Sequence, residues 1–499
     1  MLNRNRLIVL IIAALSWQAA NAQKAESNNN DKPNVIYIYA DDLGYGELGS
    51  YGQQKIKTPN LDRMAKEGMR FTQHYAGAPV CAPSRTMLLT GKHAGQSYIR
   101  GNYELGGFAD DKEGGQMPLP EGTFTLGHLF KNAGYATATI GKWGLGVVNT
   151  TGHPLKQGFD YFYGYLDQKQ AHNYYPTHLW ENEKWDTLDN PYIYVHENID
   201  RAKFTDKDFD RFKGNTYSVD KITEKALSFI RKNKSRPFFL YLPYTLPHIS
   251  LQVPDKYVNM YKGKFDEKPY YGEEGYTPAK YPLSTYAGMI TCLDDQVGIV
   301  MNEIKKLGLD KNTIIMFSSD NGAAFNGGVK PEFFNSVQGL RGFKMDVYEG
   351  GIREPFIARW PGKIASGKVS SHVSAQFDMM ATFADMLRQP IPSKTNGISL
   401  LPELLGRKGQ QQHAYLYFEY PEKGGQLAVR WQNWKGVKTG MQKNMNAPWQ
   451  LYNLQTDPFE KNNVAAQHPE ILKQLDEIVA KEHQNAHVKE WEFIAPKFR

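Results

Sequence analysis

Cys81 opens the run Cys81-Ala82-Pro83-Ser84-Arg85-Thr86-Met87-Leu88-Leu89-Thr90-Gly91, in a chain that has one other cysteine, Cys292. A lone cysteine is by default a small buried hydrophobe, but a thiol with proline two residues on and arginine four residues on asks for a chemical explanation. Elsewhere, Asp41-Asp42 and Asp320-Asn321 each follow an apolar run. They supply hard oxygen ligands, which suit Ca²⁺ or Mg²⁺ rather than zinc. Lys142 after Gly141 and His248 after Pro247 close two further apolar runs and add a cation and an imidazole. Singly, each has a plainer reading: an Asx-turn, a helix cap or a surface side chain. Their occurrence together at the ends of four similar segments outweighs those readings.

The segments that must position them are residues 35–39, 136–140, 238–242 and 313–317, all strand-like. Helical patterns lie between, at residues 61–67, 124–132, 219–232 and 286–306. Strands alternating with helices imply an α/β fold, a large and mostly parallel sheet sandwiched by helices. In such sheets ligands bind beyond the carboxyl ends of the strands, so the four polar ends should converge on one site. From about residue 406 the pattern changes to a smaller antiparallel sheet, including residues 414–420 and 427–436, closed by an amphipathic helix at 470–482.

The Cys-x-Pro-x-Arg core with Leu89-Thr90-Gly91 resembles the signature of the type I sulfatases of the alkaline phosphatase superfamily. In that family this cysteine is oxidised to formylglycine, an aldehyde present as its gem-diol. Asp41-Asp42-Leu43-Gly44-Tyr45-Gly46 and Asp320-Asn321-Gly322 look like the family's metal segments, with residue 81 as a further metal ligand. Gly141-Lys142-Trp143 and Lys344 in Gly342-Phe343-Lys344 match sulfate-binding lysines, and His248 matches a histidine on the leaving-group side. Arg85 is implied to support the formylglycine near the metal. Residues 451–458 resemble the closing segment, so the likeness runs in order over about residues 33–465. The resemblance implies that one gem-diol hydroxyl attacks sulfur while His248 or Lys344 protonates the departing oxygen. The re-forming aldehyde then expels sulfate. One position departs from the pattern: the family's Gly-Lys-Trp-His-Leu-Gly, whose histidine assists the formylglycine hydroxyl, reads Gly141-Lys142-Trp143-Gly144-Leu145-Gly146 here.

The resemblance further implies a sulfated carbohydrate substrate, as in the bacterial exported sulfatases, and a formylglycine-generating maturation enzyme as partner. Arg100, Asn102, His172, His178 and Glu332 lie on segments that often form the family's substrate pocket. Residues 171–180, with Tyr174, Tyr175 and Trp180 among the histidines, read as a loop that stacks on a sugar. A sulfated galactose or N-acetylgalactosamine at a glycan terminus, from mucin or glycosaminoglycan, is the expected substrate. Two alternatives remain at this point. One is a phosphodiesterase or phosphonate hydrolase of the same superfamily; the other is a non-catalytic glycan-binding homologue, which Gly144 raises.

Composition sets the compartment and excludes other classes. Arg4 and Arg6 precede the apolar residues 7–15, and Ala20-Asn21-Ala22 fits a signal-peptidase site. The expected organisation is a signal peptide at 1–22, a linker at 23–31, a catalytic domain at 32–405 and a C-terminal subdomain at 406–499, in a periplasmic or secreted protein. No run of about 18 or more apolar residues predicts a membrane span. The formal net charge of +7 is mild and no basic tract suggests nucleic acid. Cys292 sits in a half-apolar helical stretch and reads as a core residue.

Overall fold

The computed structural model describes residues 32–392 and 394–498; the signal peptide and the linker expected from the sequence lie outside them. The main sheet has 11 strands. At its centre Thr313–Ser319, Asn34–Ala40, Phe238–Pro243, Ala136–Lys142 and Tyr161–Tyr165 run side by side and parallel. Antiparallel strands flank this block, Arg353–Arg359 with Met69–Tyr75 on one side and His178–Glu181 with Lys184–Thr187 on the other. The four strands read from the sequence are thus neighbours, and their polar ends fall at one edge.

The alternation of side chains along Asn34–Ala40 explains the sandwich. Ile36, Ile38 and Ala40 enter the core built with the long helices Ser218–Lys232 and Pro282–Lys306, through residues such as Ile222, Phe229, Ile290 and Val297. Val35, Tyr37 and Tyr39 enter the opposite core, with Leu88 and Leu89 of Cys81–Thr90 and with Met379 and Phe383 of Asp378–Leu387. Every residue of Asn34–Ala40 is buried, as a strand covered on both faces requires. Cys292 is fully buried in the first of these cores and its thiol is free, as the core reading expects.

A second sheet has 4 antiparallel strands in chain order, Leu416–Tyr420, Gln426–Trp431, Trp434–Lys438 and Gln450–Asn453. The single stretch expected at 427–436 is in fact a hairpin. It turns at Gln432-Asn433, with Gln432 at φ 54°, and the absence of glycine or proline there hides the turn from sequence reading. Helix Pro469–Glu482 closes the layer by packing Leu475, Ile478 and Val479 against Leu427 and Val429.

A buried ion cluster joins the two layers. Lys435 Nζ lies 2.9 Å from Glu349 Oε1 and 3.1 Å from Glu460 Oε1, with all three side chains out of solvent. Burial raises the Glu349 carboxyl, but Lys435 and two nearby arginines outweigh it and hold the group down at about 2. Glu460, buried and beside Glu349, is pushed up to about 7. Removing the lysine would leave two buried carboxylates short of a counter-ion, which costs roughly 3–5 kcal/mol for a broken buried pair. Lys435→Met should therefore lose stability of that order in denaturant unfolding at pH 8. The loss should shrink toward pH 5, as Glu460 takes up a proton and leaves one buried carboxylate charge in place of two; a loss that is small, or that grows with acid, would contradict this role.

Candidate active site

Cys81 is the first residue of the helix Cys81–Thr90, after the extended Val80. Pro83 is tolerated there because the first turn of a helix has no partner for its N–H groups. The helix ends at Gly91, whose φ of 71° lies in the left-handed region and whose Cα faces Met380 too closely to admit a Cβ. Residue 81 is thereby held at a helix N-terminus, where backbone N–H groups favour negative charge. Burial pushes the Cys81 thiol up to about 11, against the opposing pull of Lys142 and Lys344. As a thiol it is a poor nucleophile.

The carboxylates come together through strand register. Ala40 pairs with Ser319, and Asp320 N donates to Ala40 O at 3.1 Å, so the residues after the two strands sit side by side. Asp42, at φ 64°, turns its N–H to Asp320 Oδ1 at 3.0 Å. Asp41, Asp42 and Asp320 each place an oxygen within 4.8 Å of the others, and all are buried. Asn321 Nδ2 donates to Asp42 Oδ1 at 2.8 Å, which aims Asn321 Oδ1 away from that bond. Among the described residues Asp41 Oδ1 and Asn321 Oδ1 are buried without a hydrogen-bond partner. Unsatisfied oxygens from an all-oxygen set are what a hard divalent cation needs, so Asp41, Asp42, Asp320 and Asn321 fit one.

Three cations balance the carboxylates. Arg85 donates to Asp320 Oδ2 from Nε at 3.1 Å and from Nη2 at 2.8 Å, and from Nη1 to Lys142 O at 2.8 Å. Lys142 Nζ donates to Asp41 Oδ2 at 2.6 Å and Lys344 Nζ to Asp42 Oδ2 at 2.8 Å. Asp320 is driven up to about 7 by burial and by Asp41 beside it. Burial acts the same way on Asp41, but Lys142, His248 and Arg85 together hold that carboxyl below the usual range. Lys344 also donates to His248 Nε2 at 3.1 Å, and His248 Nδ1 bonds to Ile249 O. Burial, then the Lys344 charge, pushes the imidazole down to about 4, so it is neutral and accepts from Lys344. Tyr174 OH fixes this loop by donating to Thr245 O and His248 O, both at 2.6 Å.

Above these groups opens a cavity of about 160 Å³ lined by Cys81, Lys142, His248 and Lys344. Asn102 and His172 line it as well. Asn102 Oδ1 accepts from Ala82 N at 3.3 Å, and His172 stacks on His248 with ring centroids 4.8 Å apart. Three expected substrate residues are elsewhere. Arg100 is consumed by Glu419 at 3.0 Å and by the carbonyls of Ser97, Gly95 and Gln484, because a buried guanidinium needs its whole fork satisfied. His178 stacks on Trp185 at 3.9 Å and faces Glu113, and Glu332 is exposed on the turn Pro331–Phe334. The aromatic residues of the expected sugar loop are committed too: Tyr174 and Tyr175 are buried in the core, and Trp180 Nε1 donates to Glu113 Oε2. Sequence reading missed Glu104, Gln168 and Glu422, which line the cavity. A signal for Gln168 was present: Tyr161–Tyr165 is one more strand-like run that ends in polar residues.

A cysteine at a helix N-terminus, set over buried carboxylates and beside two lysines at the strand ends of a largely parallel sheet, suits a hydrolase of anionic esters. The sulfatase family model matches residues 33–390, and a model described as N-sulphoglucosamine sulphohydrolase, C-terminal, matches residues 343–485. The chain is 32% identical to an N-acetylgalactosamine-6-O-sulfatase of Bacteroides thetaiotaomicron over 96% of its own length and 99% of the relative's. It is 31% identical to the N-acetylgalactosamine-6-sulfatase of Mus musculus, over 82% of this chain and 72% of that one. Among solved structures it resembles Ps i-CgsB in complex with k-i-k-neocarrahexaose, with a TM-score of 0.73 and 28% identity, covering 91% of this chain and 94% of that one. The chain belongs to the sulfatase family and is a sulfuric ester hydrolase.

The Arg85 fork is the piece with the least tolerance. Arg85→Lys keeps the charge but cannot hold Asp320 and the Lys142 carbonyl at once, and a shift of about 1 Å in such groups costs about 100-fold in rate. A fall of kcat of that order is expected in steady-state assays on a sulfate ester. Retention of more than half the activity would show that the fork is dispensable.

Proposed function

We propose that this chain, with residue 81 matured to formylglycine, removes the 6-O-sulfate from N-acetylgalactosamine or galactose at the end of a glycan. The observation that carries this reading is the small cavity in which Cys81, Lys142 and Lys344 meet Asn102, Glu104, His172 and Glu422. The lysines recognise the anion. The amide, carboxylates and imidazole at the same opening suit sugar hydroxyls, and a site built to bond them discriminates strongly against a substrate that lacks them. A sulfate on an exocyclic primary carbon stands further from its ring than one on a ring carbon, which suits a cavity of only about 160 Å³. The naming of the two N-acetylgalactosamine sulfatases among the relatives supports the same choice.

The residues of this chain divide the work. Lys142 and Lys344 hold the sulfate group in line with residue 81, and the helix N-terminus favours negative charge there. Arg85 keeps Asp41, Asp320 and the Lys142 carbonyl fixed. Lys344, donating to the neutral His248, holds a proton on the leaving-group side, and the pair supplies it to the departing oxygen. Asp41, Asp42, Asp320 and Asn321 would hold Ca²⁺ or Mg²⁺, which when bound would supply positive charge against the charge developing on the sulfuryl oxygens. The residues before Gln23 support export to the periplasm or beyond, where a maturation enzyme of the producing cell would act on the Cys81 segment first.

The test is a panel of 6-O- and 4-O-sulfated N-acetylgalactosamine, 6-O-sulfated galactose and an aryl sulfate, assayed with wild type and His172→Ala. The 6-O-sulfated sugars should be the best substrates, and His172→Ala should lose about tenfold or more in kcat/KM on them while nearly sparing the aryl sulfate. Preference for the aryl sulfate, or equal losses on all substrates, would overturn the sugar assignment.

Mass spectrometry of active protein should find the aldehyde at residue 81, and exhaustive chelation should abolish turnover until Ca²⁺ or Mg²⁺ is returned. Active protein with only thiol at residue 81, or activity indifferent to chelation, would overturn the mechanism.

A further inference from the structure

Gln168 is 2% exposed and lines the same cavity as Cys81 and Lys142. Neither its Nε2 nor its Oε1 has a hydrogen-bond partner among the described residues. Buried carboxamides are nearly always satisfied by the protein, and one left idle destabilises the fold. Its neighbours are the opposite of idle. Gln168 N donates to Gln116 Oε1 at 3.0 Å, and the preceding Asp167 carboxylate accepts from Gly114 N, Gly115 N, Gln116 Nε2 and Lys169 N at 2.7–3.1 Å. The backbone that carries the Gln168 side chain is thereby fixed.

The space it fills lies in front of Gly144. Gly144 has φ 76°, its N–H donates to Leu166 O at 3.2 Å, and a Cβ built on it would lie 2.5 Å from Gln168 Cγ. A side chain at position 144 and the Gln168 side chain are therefore mutually exclusive. The carboxamide, with a donor and an acceptor unused, stands in the volume that a residue at 144 would enter. It cannot take up a proton at neutral pH, so it serves as a fixed hydrogen-bond donor and not as a base.

We propose that Gln168 Nε2 donates a hydrogen bond to the reacting sulfate group as it is held at residue 81, and that this contact stands where position 144 offers none. The inference rests on the sulfatase reading of this cavity. Its ligand class is the sulfuryl oxygen, present in substrate and in the inorganic sulfate product alike.

The variants Gln168→Met and Gln168→Glu separate a role in binding the sulfate from a role in the fold. Methionine keeps the bulk and removes an unsatisfied buried amide, so Gln168→Met should melt at the wild-type temperature or above it. Its kcat on a sulfated sugar should fall about 100-fold, as for loss of one preorganised donor. The increase in melting temperature that inorganic sulfate gives wild type should be largely lost in Gln168→Met and absent in Gln168→Glu, where a carboxylate faces the anion. Unchanged kcat and sulfate response in both variants would overturn the proposal, as would a lower melting temperature with activity retained. Sulfate binding that needs Gln168, in a matured wild type inactive on every sulfate ester, would remove the catalytic reading and leave this contact standing. Wild type that neither binds sulfate nor turns over would overturn both.

Discussion

The mutual neutralisation of three buried carboxylates by three buried cations is the constraint on which the site depends. Asp41, Asp42 and Asp320 converge because two parallel strands end in register, and none of these charges would survive burial without Lys142, Lys344 and Arg85. The pairs are unequal in purpose. Arg85 is turned wholly into the protein, making contacts to Asp320 and to a carbonyl that no ligand could share. The lysines are reached from the cavity, so an arriving anion can draw on their charge. A site of this kind favours the approach of an anion while its ligand set remains fixed.

The legibility of this arrangement in the sequence follows the range of the forces involved. Strands such as Asn34–Ala40 and Thr313–Ser319 are continuous apolar runs because both faces are covered, and a polar residue at their carboxyl end stands out. That contrast made Asp41, Asp42, Lys142, His248, Asp320 and Asn321 readable as one cluster. Arg100, His178 and Glu332 do not line the cavity and lack that contrast: Arg100 is in an irregular segment, His178 opens the strand His178–Glu181 and Glu332 lies on the short helix Pro331–Phe334, so none follows one of the apolar strands that mark the site. Arg100, with its fork spread over Glu419 and several carbonyls, differs from a ligand-binding arginine only in three-dimensional context. The hairpin at Gln432 escaped for a smaller reason, since a left-handed glutamine carries no compositional mark.

The C-terminal layer is part of the site and not an appendage to it. Gln426 Oε1 accepts from Val347 N and its Nε2 donates to Met345 O, clasping the segment that carries Lys344. Glu349, a few residues on, is locked to Lys435 of the same sheet. Glu422, in the turn between two of its strands, accepts from Asn102 N and lines the same cavity as the lysines. One small antiparallel sheet thus sets both the position of a cavity-lining lysine and one wall of that cavity. Such coupling means that the second layer cannot drift relative to the first without moving Lys344 from Asp42. The burial of the Lys435 cluster, which costs desolvation of three charges, is intelligible as the fastening that prevents that drift.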